Sequence, residues 1–496
     1  MRLPFPSSAK CLTLTVLLAA LAACNAVGPD YHLPGQSVYS KVQKQPVALH
    51  GEASQVDVNA DALEGDWWRL YKAPYLNSLI EEALKESSEL RVAEARLRQA
   101  WAAYEEAAGA GDLDWNMNAS VSRSRASGES MGQNKRLPPV NLAEADLGVS
   151  YALDLFGQIR RGIEQAGANT EAAQAARDLA RINVAAGVAG AYLGICNSNH
   201  QLAVARHSLK LQQDSREVSF RLHNAGRGTI TDVTRANAQV AALKAAIPPL
   251  QAERKAAAYQ LAALLDLTPD KVPQRALDCD RVPDLERPIP VGDGAALLRR
   301  RPDVRQAERQ LAAATAGIGV AVADLYPKVG FSASIGSSGL RDDFGEAPTQ
   351  TFSIGPLLSW NLPSRANRAR VKLARAGADE SLAQFDQVVL NALRETQTQL
   401  DQYGEDLKRE RSLRDARDRA ASAAEDERRL YKDGRVPYLD SLDAERDLAS
   451  QESSLAVAQR QLSQDQINLF LALGGGWRDD PKTQPKTSVS EDAAAE

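Results

Sequence analysis

Apolar and small polar residues alternate in four short stretches of this chain. Trp115, Met117, Ala119 and Val121 form one row, and Val329, Phe331, Ala333 and Ile335 another. Leu147, Val149, Tyr151 and Leu153 form a third, and Ile354, Pro356, Leu358 and Trp360 a fourth. A period of two is that of a strand with two unlike faces. Each stretch is roughly 9–10 residues, which a tilted strand needs to cross a bilayer. The opposite rows are mostly small and polar, as in Asp146, Gly148 and Ser150, or Ser353, Gly355, Leu357 and Ser359. That combination fits a strand with lipid outside and a wet lumen inside. A soluble, half-buried sheet would show the same alternation. Pro356 inside the fourth stretch predicts an edge strand or a bulge.

Nearly everything else reads as helix. No proline interrupts Val140 to Ile247 or Ser364 to Val436. From Gly157 to Leu222 the pattern predicts one helix of about 66 residues, roughly 100 Å at 1.5 Å rise. Ordinary globular helices average about 11–12 residues. Val389, Leu393, Thr396, Leu400, Tyr403 and Leu407 are spaced alternately four and three apart, and Leu448, Leu455, Leu462 and Leu469 seven apart. Such spacing belongs to helices paired along their length. The turns at 222–229 and 431–437 carry Gly226, Gly228 and Gly434, with Pro437 opening the next helix. Thr229 to Asp232 resembles a capping box with Asp for Glu.

The chain also repeats itself. Glu89–Arg96 resembles Asp303–Gln310 at an offset of 214, and the first strand rows match at the same offset. The second strand rows match at 207 and the tips at 208, so one connection is shorter in the second copy. The period is too long for a solenoid and indicates a duplicated domain.

Composition narrows the reading. Aromatics are 5% and charged residues 25%, with a net charge of −5, so the core is aliphatic and nucleic acid is not an expected partner. Five His and four Cys are thin material for a metal site, and no metal or cofactor is expected. No nucleophile elbow or Walker loop appears, and an enzyme is not expected. Arg2 and Lys10 precede an apolar run ending Leu21-Ala22-Ala23-Cys24, the order of a secretory signal closing in a lipobox. Residues 1–23 are therefore expected to be a signal peptide and Cys24 to be lipidated. Asn25, not Asp, then favours the outer membrane. Cys196 and Cys279 remain, and the spacing leaves open whether they pair or stand apart. Residues 25–61 are expected to be extended, and the polar tail 479–496 disordered.

Taken in order, the lipobox with Val27-Gly28-Pro29-Asp30-Tyr31, Trp67-Trp68, Leu153-Asp154-Leu155-Phe156-Gly157, Arg299-Arg300-Arg301-Pro302-Asp303-Val304, Tyr326-Pro327 and the Gly434…Tyr438-Leu439-Asp440 tip resemble the TolC-like outer membrane factor family, in its NodT-type lipoprotein subgroup. Pro363-Ser364-Arg365 departs from the aromatic and glycines of many relatives. The resemblance implies a mainly α protein with a membrane β-barrel part: long coiled-coil helices forming a periplasmic α-barrel and four transmembrane strands per protomer. A lipidated N-terminal segment, 24–74, would precede two structural repeats, 75–285 and 286–478. It further implies a homotrimer, and four strands alone are too few to close a barrel, the smallest having about eight. The expected function is the outer-membrane exit duct of a tripartite efflux pump, working with a periplasmic adaptor and an inner-membrane transporter. Leu439, Asp443 and Arg446 match the family's periplasmic gate. An apolar constriction, an anionic ring and an arginine latch would follow. The first copy has Thr231, Arg235 and Ala238 at those places. The Gly226, Gly228 and Gly434 tips are the expected adaptor-docking points. Two other functions share these features: a periplasmic coiled-coil lipoprotein scaffold, and the exit duct of a protein secretion system.

Overall fold

The computed structural model describes residues 26–45, 47, 49, 58–59, 65–285, 288–291 and 294–475. The expected signal peptide, Cys24 and the tail 479–496 lie outside the described residues. The helices are α1 Val38–Lys44, α2 Pro74–Glu86, α3 Ser88–Gly109, α4 Gln158–Asn224, α5 Ile230–Ala245, α6 Ile247–Leu264, α7 Gln274–Leu277, α8 Gly294–Arg300, α9 Pro302–Ala323, α10 Arg365–Lys432 and α11 Tyr438–Ala472. The four expected strands are present as β1 Asp114–Ser124, β2 Val140–Leu153, β3 Lys328–Leu340 and β4 Gln350–Ser359. The order of elements recurs: two helices, two strands, one helix of 67 or 68 residues, then a return. The returns differ. Pro248 and Pro249 fall in the first turn of α6 and separate it from α5, because proline lacks the amide that continues a helix. The unbroken α11 has no proline inside it.

The described residues form two compact units, one within 1–37, 96–174 and 306–386, the other within 38–95, 175–305 and 387–496. The first contains the sheet, in the order β1-β2-β3-β4 and antiparallel throughout. Residues 26–37 lie along helices of this unit. The Val27 amide donates to the Phe156 carbonyl at 3.0 Å. Arg161, nearly buried, reaches the Asp30 carboxylate at 2.6 Å and the Val27 carbonyl at 3.2 Å. That guanidinium holds the Asp30 carboxyl below the usual carboxylate range. Gly28 has φ +94°, and a side chain there would strike the backbone of Gly319. The Gly-Pro-Asp-Tyr segment is thus a strap fitted to its bed.

The core of the second unit is built from Trp67, Trp68, Tyr71, the α2 leucines, the α4 stretch Val184 to Cys196, and the end of α11. Trp67 stacks on Phe470 with ring centroids 4.3 Å apart. The α4 stretch is mostly Ala, Val and Gly, which lets neighbouring backbones approach closely. α4 contains a stretch apolar enough to cross a membrane by length and composition, and most of that stretch is buried within the protein. The heptad rows face inward: Val389, Thr396, Leu400, Tyr403 and Leu407 of α10, and Leu455 and Leu469 of α11, are buried. Cys196 and Cys279 form a disulfide, Cα atoms 5.0 Å apart, across 83 residues of sequence. Asn199 donates to the Leu277 and Cys279 carbonyls at 2.9 and 2.7 Å and holds that segment against α4.

One expectation fails. Residues 25–61 are not extended throughout, because 38–44 form α1. Ser40 and Val42 are buried there, and Gln43 donates to the Ala295 carbonyl of α8 at 3.2 Å while accepting from Arg299 at 2.7 Å. Tertiary contact with α8 stabilises a helix too short to stand alone.

Candidate functional site: the sheet wall and the helix tips

The register sorts the sheet into two chemically distinct faces. One carries the rungs Trp115–Val149–Ala333–Ile354 and Met117–Leu147–Ile335–Phe352, and Tyr151–Phe331–Pro356. The other carries Asn116–Gly148–Ser334–Ser353 and Asn118–Asp146–Gly336–Thr351. On the polar face Asn118 donates to Asp146 at 3.2 Å, Ser338 to Glu144 at 3.2 Å, and Ser334 and Ser353 share a hydrogen bond of 2.9 Å. The apolar face leaves Met117, Val121, Ile335, Phe352 and Ile354 each about two-thirds or more exposed in the single chain. Apolar residues so exposed on one face of a sheet mark a lipid-facing wall, and the polar rungs mark a wet lumen. Pro356 lies in β4, the outermost strand of the single chain's sheet.

The two tips are built alike. After α4, Gly226 has φ +70°, its amide donates to the His223 carbonyl and the Arg227 amide to the Leu222 carbonyl, both at 2.9 Å. After α10, Gly434 has φ +69°, with the matching bonds to Tyr431 and Leu430 at 2.9 Å. Only glycine takes that conformation cheaply, so both turns are helix stops in their local chemistry. Thr229 and Asp232 close the capping box in both directions, at 3.2 and 3.0 Å. The Thr229 hydroxyl, donating at 2.7 Å, and then the Thr229 amide hold the Asp232 carboxyl below its usual range. On the second tip Tyr431 packs against Tyr438, ring centroids 5.0 Å apart.

Asp443 and Arg446, three residues apart on α11, form an ion pair of 2.9 Å within one chain. Arg446 also donates to Gln212 Oε1 at 2.9 Å and Ser215 Oγ at 3.0 Å, both on α4 and both buried. The guanidinium therefore ties α11 to α4. The sequence offered no sign of Gln212 or Ser215, which lie more than 200 residues away. Leu439 is half exposed. Arg446 and Leu439 line one open cleft of about 430 Å³ together with Arg227, Asp232 and Arg235. Arg235, the first-copy residue at the place of Asp443, thus shares a cleft with Leu439 and Arg446.

The Arg300-Arg301-Pro302-Asp303 motif closes the far end of α11. Arg300 donates twice to the Leu473 carbonyl, at 3.0 and 2.8 Å, and Arg301 to that of Ala472 at 2.8 Å. Asp303 and Glu395 balance the Arg301 charge at 2.6 and 3.2 Å. Carbonyls at a helix C-terminus lack intrahelical donors, and guanidinium groups satisfy them with favourable charge. Among the described residues no group of three His, Cys, Asp or Glu is placed to hold a metal.

A sheet with a lipid face, joined to paired helices of this length, defines an outer-membrane channel. The family model for outer membrane efflux proteins matches residues 79–266 and 295–475. Nodulation protein T of Rhizobium leguminosarum bv. viciae is 30% identical over 485 residues, 98% of this chain and 97% of that one. The probable efflux pump outer membrane protein TtgC of Pseudomonas putida is 29% identical over 479 residues, covering 94% and 95%. The outer-membrane channel OprN superposes with a TM-score of 0.80 at 34% identity, over 91% of this chain and 99% of that one. The chain belongs to the outer membrane efflux protein family. It is the outer-membrane exit duct of an efflux pump, extends into the periplasm, and is a passive channel. Channels of this family are trimeric and work with an adaptor and an inner-membrane pump.

Proposed function

We propose that three copies of this chain close a single twelve-stranded barrel and so form the complete exit duct for drugs or other small toxic compounds. The observation that carries this is the open sheet: β1 and β4 are both edges, each ten or eleven residues long. Unpaired backbone in lipid costs several kcal/mol per group, so such edges must be paired. β1 and β4 run antiparallel, so β4 of one copy beside β1 of the next continues the alternation without a break. A conductance of fixed size from purified homotrimers in planar bilayers tests the reading. Trimers without conductance would count against it.

Leu439, Asp443 and Arg446 are the periplasmic gate in this reading, and the Gly226, Gly228 and Gly434 tips dock the adaptor. The Arg446 bonds to Asp443, Gln212 and Ser215 support a latch that holds α11 against α4. Cys24, two residues before the strap at Ala26, anchors the duct to the outer membrane through its acyl chains. Cys24→Ser should abolish acyl labelling while trimers still assemble at reduced yield. Normal labelling in the variant would remove the anchor. No observation favours a secretion duct, and the lipid-facing wall argues against a purely periplasmic scaffold.

A further inference from the structure

The lipid-facing row of β1 ends in a cation. Trp115, Met117, Ala119 and Val121 share one face with Arg123, which pairs in register with Asn141. From the Tyr151–Phe331 level to the Arg123–Asn141 level β2 climbs ten residues. That is about 33 Å along the strand and roughly 25 Å along the normal at the usual tilt, the height of an outer-membrane apolar band. Arg123 therefore stands where hydrocarbon gives way to headgroups. The end is the outer one, since the helices join the opposite ends of the strands and extend into the periplasm.

The β1–β2 loop, which follows Arg123 past the end of the ladder, adds three cations: Arg125, Lys135 and Arg136. The loop is folded back on itself. The Gln133 amide donates to the Gly128 carbonyl at 2.8 Å, and Ser130 Oγ to the Ser127 carbonyl at 2.8 Å. Gly128 lies so close that a Cβ there would stand 1.9 Å from the Lys135 carbonyl. This closure sets the Lys135 backbone, next to Arg136, against Gly128, three residues after Arg125. All four side chains are exposed, and none makes an ion pair among the described residues. The loop holds a single carboxylate, Glu129.

We propose that Arg123, Arg125, Lys135 and Arg136 bind the phosphate groups of the phosphorylated glycolipid (lipopolysaccharide) that surrounds the outer rim of the duct. The inference rests on the barrel reading, because it takes the Trp115–Val121 row to face lipid. Guanidinium groups match phosphate oxygens bidentately, and a cation at an anionic membrane surface gains from each neighbouring charge. A competing occupant is the β3–β4 loop of a neighbouring copy, which carries Asp342, Asp343 and Glu346.

The test uses full-length trimers already shown to conduct in bilayers, so a failure of the barrel is seen first and separately. Rough lipopolysaccharide, the same material dephosphorylated, and phosphatidylglycerol vesicles are titrated against wild type, Arg123→Ser and the quadruple serine variant. The expected result is preference of wild type for the phosphorylated form. The affinity should fall about fivefold for each cation removed, with trimers intact. Equal binding of phosphorylated and dephosphorylated glycolipid, or of phosphatidylglycerol, would overturn the proposal. So would a quadruple variant that keeps glycolipid affinity but loses trimer stability, which would assign the cations to the neighbouring acidic loop.

Discussion

Arg446 holds Asp443 through its Nη1 at 2.9 Å, and the same guanidinium reaches Gln212 and Ser215 on α4. The pair is exposed enough that its charge attraction alone is worth only a few tenths of a kcal/mol. The bonds to buried Gln212 and Ser215 matter more, because losing Arg446 leaves those polar groups without their donor. Asp443→Ala with Arg446→Ala should therefore loosen α11, raise conductance in planar bilayers and admit large antibiotics to cells. Arg235→Ala should do less, because Arg235 feels only the charge of Asp232, one turn away, and among the described residues has no ion pair or hydrogen bond joining it to α4. The three copies of Asp443 should also confer block by multivalent cations from the periplasmic side. Unchanged conductance and block in the double variant would place the constriction elsewhere.

The two faces of the sheet make opposite demands. Arginine at Tyr151 or Ile335, on the apolar face, should cost about 2–4 kcal/mol near the bilayer midplane. Arginine at Ser150 or Ser334, on the polar face, should cost far less. Urea midpoints of refolded trimers measure the difference, and equal tolerance on both faces would argue for a soluble sheet.

Asp465 of α11 is buried, accepts from Gln461 at 3.0 Å and stands beside Asp406 of α10. Burial first, and then the neighbouring Asp406 carboxyl, push its carboxyl up to about 7. The folded value exceeds the unfolded one, so the native state binds the extra proton between about pH 4 and 7. Its contribution is fully present below that window and is lost as pH rises through it. The slope is at most about 1.4 kcal/mol per pH unit. Melting temperatures of the trimer should fall across this range, and Asp465→Asn should flatten the fall. An unchanged slope in that variant would show that another group titrates.

Much of this architecture could be read from local pattern. The strands announced themselves because a membrane wall needs strict alternation over its full height, as in Trp115 to Val121. The long helices did so because proline is absent and the heptad rows are regular. What stayed hidden depends on contacts remote in sequence. Nothing near Cys196 shows that Cys279, 83 residues on, meets it. Nothing in residues 38–44 shows that α8 will bury Val42 and bond Gln43. Arg446 was legible as a candidate from the tip it follows, but its anchors on α4 were not. Matching the two tips along the sequence also says nothing of the cleft that Arg235 and Leu439 share.

The central claim is that β4 of one copy pairs with β1 of the next and that three copies close the ring. The most direct measurement places one cysteine on each edge, at Ser120 of β1 with Thr351, Ser353 or Gly355 of β4 in turn, all on the polar face. The native pair Cys196–Cys279 is already bonded and does not compete. After oxidation and boiling in detergent, covalent dimers and trimers should appear and nothing larger, because a closed ring has no free edge. A ladder beyond three copies, or monomers alone at every pairing, would contradict it.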